Sequence, residues 1–222
     1  MKTAEQPFRF VTASYLTRIN NQKASTLDEL RTGLEQTSDA SIFYHTFQSL
    51  GRYHFLTEGF SNDFAQWVLT GLNRAALAEQ LAGLDVRDYS SLAGLRGDLH
   101  RLVTDYCQTN PHEARQCAFE TFYFCESVVV TAPLSLEATT LEEFRNGLSS
   151  LGHAGFYNHF IASRLRLELG TNDFSHWFAH ALDLKDLAQR TNRIDVYTNT
   201  IETAQAEILA LVDRELASGV NK

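Results

Sequence analysis

Phe8-Arg-Phe-Val-Thr-Ala-Ser-Tyr-Leu-Thr17 returns 114 residues later as Phe122-Tyr-Phe-Cys-Glu-Ser-Val-Val-Val-Thr131. Both runs are aromatic and β-branched, the composition of a strand, but their alternation is imperfect and a helix end fits as well. The recurrence continues without a gap from Phe8–Arg52 onto Phe122–Arg166, with 14 of 45 positions identical. The register then resumes at a shift of 110, where Asn62–Tyr89 lies over Asn172–Asn199 with 9 of 28 identical. A unit repeated at this length predicts two similar halves arranged about an approximate two-fold axis.

After its opening run each repeat reads as helical. Thr26-Leu-Asp-Glu29 and Thr140-Leu-Glu-Glu143 are capping boxes, with the Glu three residues after the Thr. A helix over 40–54, and its equivalent over 154–168, follows. Ser61-Asn-Asp-Phe64 and Thr171-Asn-Asp-Phe174 start a third, with an acid in the first turn where the helix dipole favours it. Long helices over 92–107 and 201–216 close the halves. The expected fold class is mainly α: two pseudo-symmetric helical repeats packed together as a bundle, with room for a short extended segment opening each. The expected boundaries are 1–109 and 118–222, joined by a linker at 110–117 that contains Pro111.

Composition narrows the function classes. The formal charge is −8 with acids spread along the chain, which argues against nucleic acid or an anionic membrane as partner. No apolar run approaches the length of a membrane span. The start Met1-Lys-Thr-Ala-Glu5 lacks a secretion signal. Cys107, Cys117 and Cys125 are odd in number and not spaced as a metal or redox motif, so reduced thiols and a cytoplasmic location are expected.

Recurring apolar residues such as Phe64, Trp67 and Trp177 need only packing as explanation. Recurring polar residues carry more. His45, Ser49 and Arg52 return as His159, Ser163 and Arg166. Spacings of four and three put each trio on one helical stripe. Two readings stand side by side. In one, the stripes line a pocket, because a guanidinium fork binds carboxylate or phosphate and imidazole and hydroxyl add donors. In the other, they form a polar seam between helices, with Arg52 on Asp63 and Arg166 on Asp173. Arg31 and Arg145 recur beside Glu29 and Glu143 and read as partly exposed ion pairs or carbonyl contacts.

One feature does not recur. His176 and His180 sit at i and i+4, where two imidazoles can share a metal. The equivalents in the first half are Gln66 and Thr70, and no third ligand is evident in the sequence. No nucleophile elbow, phosphate loop or dinucleotide fingerprint is present, and no cofactor is favoured.

The order of a capping-box helix, an Ala-x-x-Phe/Tyr-x-His helix and a Ser/Thr-Asn-Asp-Phe-x-x-Trp helix resembles an uncharacterised prokaryotic family of unknown function. That family has duplicated helical repeats, each with a His helix and an Asn-Asp-Phe helix. The positions that carry the resemblance are His45, His159, Asn62-Asp-Phe64 and Asn172-Asp-Phe174. It implies fold and duplication, and brings no activity. The expected role is a non-catalytic module that binds a small anionic ligand or a protein partner. The rival is a metal-dependent enzyme using His176 and His180 with a third residue, or His45 with His159.

Overall fold

The computed structural model describes residues 3–48, 60, 62–167, 169–195 and 199–220. The expected mainly α bundle, with at most a short extended segment opening each repeat, is overturned. The fold is α+β, 60% helical, around a two-stranded antiparallel sheet. The opening runs are not short extended segments: β1 spans Phe8–Ala24 and β2 spans Phe122–Ala138, 17 residues each. The direction of pairing is visible in the ion pairs Arg9–Glu137 and Arg18–Glu126, where rising numbers on β1 meet falling numbers on β2. Pro133 sits inside β2. A two-stranded sheet has only edge strands, so a proline there forfeits no ladder bond when its nitrogen faces outward.

The helices are α1 (Leu27–Gln36), α2 (Asp39–Phe43), α3 (Asp63–Leu72), α4 (Ala75–Ala82) and α5 (Leu92–Thr109) before β2. After it come α6 (Leu141–Ser150), α7 (His153–Tyr157), α8 (Ser163–Arg166), α9 (Asp173–His180), α10 (Lys185–Asn192) and α11 (Ile201–Val220). The regular helix expected over 40–54 begins as α2 and widens into a π-helical turn, Tyr44–Gln48. The one expected over 154–168 is α7, a π turn at Asn158–Ala162, and α8. Both His45 and His159 lie in those π turns, a geometry that often accompanies a locally specialised role. Thr140 and Glu143 form the full reciprocal capping box. At α1 the Thr26 hydroxyl accepts from the Glu29 amide, while Glu29 reaches one residue further back to the Ser25 N–H at 2.6 Å.

Contacts divide the chain into two units, Met1–Tyr15 with Val129–Lys222, and Leu16–Val128. Each strand is therefore shared: its first residues belong to one unit and its last to the other. In the unit of residues 1–15 and 129–222, Phe8 and Phe10 enter a nest of Phe144, Phe174 and Trp177. Ring centroids there lie 4.8–5.7 Å apart, in edge and tilted arrangements that aromatic quadrupoles favour. In the unit of residues 16–128, Phe122 and Phe124 pack with Phe64, and Phe122 also meets Trp67.

Glycine makes the close approach possible. A Cβ on Gly147 would stand 2.4 Å from the Phe10 ring, and one on Gly33 would stand 2.3 Å from the Phe124 ring. Each strand phenylalanine thus presses on helix backbone where no side chain can exist. Trp67 and Trp177 are both buried, and their indole N–H groups donate to the carbonyls of Glu120 (2.7 Å) and Gln6 (3.0 Å).

Candidate functional site

The two histidines of the predicted stripes are the most committed polar groups in their units. His159 is 4% exposed. Its Nε2 accepts the backbone N–H of Val11 on β1 at 3.0 Å, and its Nδ1 meets Asp173 Oδ2 at 2.9 Å. Nε2 facing a donor must carry a lone pair, so the proton sits on Nδ1 and is donated to the carboxylate. The ring is held between Phe8 and Phe174, with centroids at 4.9 and 5.6 Å.

The same arrangement is built in the other unit. His45, 3% exposed, accepts the Cys125 N–H of β2 at 2.8 Å on Nε2 and meets Asp63 Oδ2 at 2.8 Å through Nδ1. Its ring lies against Phe122 and Phe64, with centroids at 4.7 and 5.3 Å.

The Asn-Asp-Phe motif supplies the rest. Asn172 Oδ1 caps α9 by accepting the Ser175 N–H at 2.9 Å, and Asn172 Nδ2 reaches Asn192 Oδ1 at the end of α10, at 3.3 Å. Asn62 Oδ1 caps α3 from the Ala65 N–H at 2.9 Å, and its Nδ2 donates to the Leu81 carbonyl of α4 at 3.0 Å. Asp173 and Asp63 are the first helical residues, where the helix dipole favours their charge. Phe174 and Phe64 pack on the histidine. One tripeptide therefore starts a helix, ties it to the next, orients an imidazole and covers it.

Of the other predicted stripe residues, Ser49 and Arg52 lie outside the described residues. Ser163 donates to the His159 carbonyl at 2.6 Å and accepts the Asp173 N–H at 3.2 Å. Arg166 bonds both oxygens of Asp173, at 2.9 and 3.0 Å. His159, Ser163 and Arg166 thus converge on Asp173. The Arg166 side chain remains 63% exposed, so this ion pair is screened and contributes little stability by itself.

Chemically, an Asp–His pair is the orienting half of an acid–base device. Here the second half is a backbone amide: Nε2, which a catalytic base would offer to a nucleophile, receives a strand N–H. The imidazole works as a latch that satisfies a strand donor inside an aromatic core. Tyr15 stands nearby on β1, donating to Asn158 Oδ1 at 3.0 Å; burial, then the charge of Asp173, pushes its phenol well above its ordinary range.

Sequence reasoning passed over two residues. Arg164 is 8% exposed, and burial pulls its guanidinium down to about 10. It donates to the Asn192 carbonyl at the end of α10 (3.3 Å) and, at 3.5 Å, to that of Leu169, which sits in the left-handed region at φ 65°. Glu126 is 7% exposed and receives Arg18 and the Ser38 hydroxyl, which hold its carboxyl below its usual range. Its place inside the run Phe122–Thr131 was a signal, since an acid amid aromatic and valine residues needs a partner. Arg31 and Arg145 do form ion pairs, with Asp28 and Asp213 rather than Glu29 and Glu143.

His176 and His180 lie on α9 with rings stacked, centroids 4.2 Å apart and planes 23° from parallel. Among the described residues, no three His, Cys, Asp or Glu side chains are grouped to hold a metal ion. No described helix is long and apolar enough to cross a membrane.

The family model described as "Family of unknown function (DUF5752)" matches residues 5–213. A solved structure, "The structure of OrfY from Thermoproteus tenax", is similar over 96% of this chain and 97% of its own, with a TM-score of 0.83 at 27% identity. No curated protein matches the chain.

Proposed function

We propose a non-catalytic role for this chain, which belongs to the family of unknown function DUF5752: it is a module that binds a protein partner along its β-strands. The observation that carries this reading is the apolar surface of those strands. Within the unit of residues 16–128, β1 leaves Leu16 and Ile19 each 61% exposed and β2 leaves Val128 39% exposed. Exposed apolar runs of this kind mark interaction surfaces. A two-stranded sheet also leaves each strand an outer edge, and an extended peptide can add there through main-chain hydrogen bonds.

The buried histidines support the same reading from the other side. Their Nε2 atoms accept strand amides, so they hold the strands rather than offer a base to substrate. The small-anion reading has less behind it, because Arg166 is bonded to Asp173. A tandem duplication accounts for the matching latches, with Val11 and Cys125, His45 and His159, and Asp63 and Asp173 all related by the sequence shifts of 114 and 110.

The test is photo-crosslinking in cells of the source organism, with p-benzoylphenylalanine replacing Val128. A discrete protein adduct that disappears when Leu16→Glu is added is the expected result. No adduct, or one indifferent to Leu16→Glu, contradicts the proposal.

A further inference from the structure

We propose that His176 and His180 bind a first-row divalent transition-metal ion, Cu2+ ahead of Zn2+, in a cavity of the unit formed by residues 1–15 and 129–222. Both histidines line a cavity of about 530 Å³ together with Glu5, Gln6 and Trp177. A separation of four residues places both rings on one face of α9.

The hydrogen bonding fixes the chemistry. His180 Nδ1 lies 2.8 Å from the His176 carbonyl, so that nitrogen carries a proton, and Nε2 is the ring nitrogen through which a metal would be bound. Metal-bound histidines characteristically donate their second ring N–H in this way, which sets both tautomer and orientation.

The lining selects for a cation. Glu5 is its one permanently charged residue, and no Lys or Arg lines the cavity. The wall is anchored, because the Trp177 indole N–H donates to the Gln6 carbonyl at 3.0 Å. Imidazole nitrogen favours borderline metals over Mg2+ or Ca2+, and Cu2+ heads the affinity order for such donors. With no third side chain grouped among the described residues, water fills the remaining positions. A square-planar Cu2+ accommodates two nitrogens and two waters more readily than a tetrahedral Zn2+ does. Binding replaces the ring stack by a chelate through modest rotation of the two rings.

The experiment is calorimetric titration of the full chain with CuCl2 and with ZnCl2 in a non-coordinating buffer, with electron paramagnetic resonance of the copper form. The expected result is one Cu2+ per chain, nitrogen hyperfine structure from two imidazoles, and weaker Zn2+ binding. His176→Gln and His180→Gln should each weaken Cu2+ by at least about tenfold, since each removes one of two protein ligands. His153→Gln, at an exposed histidine that pairs with Glu202, should leave affinity unchanged. Both test positions are exposed, so the variants retain the wild-type thermal melt. Absence of stoichiometric binding at micromolar Cu2+, Zn2+ binding as tightly as Cu2+, or loss caused by only one of the two substitutions overturns the proposal.

Discussion

His159 illustrates how much one side chain decides. Replacing it with Ala takes the acceptor from the Val11 N–H, leaves Arg166 as the side-chain donor the Asp173 carboxylate keeps, and opens a cavity among Phe8, Phe10 and Phe174. A cost of about 3–4 kcal/mol follows, combining a lost buried acceptor with lost packing. Chemical denaturation checks it, and amide exchange at Val11 should speed up more than global destabilisation accounts for. Gly147 fails in the opposite direction. Gly147→Ala drives a methyl into the Phe10 ring 2.4 Å away, and overpacking of this kind costs about 1–3 kcal/mol, readable in a thermal melt. Glu126 gives a pH dependence with a definite sign. Arg18 first, then Ser38, hold its carboxyl below the ordinary 4.5 in the folded chain. Its contribution is therefore fully present above that value and is lost as pH falls through the lower folded value. Stability measured from pH 7 to pH 3 should fall less steeply in Glu126→Gln than in the parent chain.

At the scale of elements, the helices were legible because capping is local chemistry. Thr140 with Glu143 announces a helix start within four residues and caps as expected; where Ser61 or Asn62 could serve, Asn62 is the cap, and Asn172 holds the matching place. Asn172→Ala should cost about 2 kcal/mol in a denaturant melt, because it removes both the cap on Ser175 and the tie to Asn192. The strands were legible only in their first halves. Phe8 and Phe10 alternate with Arg9, but Arg18-Ile-Asn-Asn-Gln-Lys23 has no apolar period. Its extended form comes from pairing with a segment over a hundred residues away, which local pattern cannot register. The same distance hid the site. His159, Ser163 and Arg166, four and three apart in sequence, meet at Asp173, and the Arg166–Asp173 pair was among the readings drawn from sequence. The strand amide that completes the latch was not visible, because a backbone N–H carries no residue identity.

On the scale of the whole molecule, the first fifteen residues fold with the last ninety-four. Each unit also holds one tryptophan, Trp177 in the first and Trp67 in the second, which allows each to be watched alone. Deleting residues 1–15 from a Trp67→Phe chain removes Phe8, Phe10 and the Gln6 carbonyl from around Trp177. Its fluorescence should then shift to the red at low denaturant, while the same deletion in a Trp177→Phe chain leaves Trp67 emission near that of its full-length parent. The central claim is that buried histidines latch strands contributed from the far end of the sequence. Nuclear magnetic resonance reads that latch directly, as a scalar coupling between two nitrogens across a hydrogen bond. The account predicts a coupling between the Val11 amide nitrogen and His159 Nε2, another between the Cys125 amide and His45 Nε2, and a proton on Nδ1 of both rings. Rings protonated on Nε2, with no coupling to either strand amide, would contradict it.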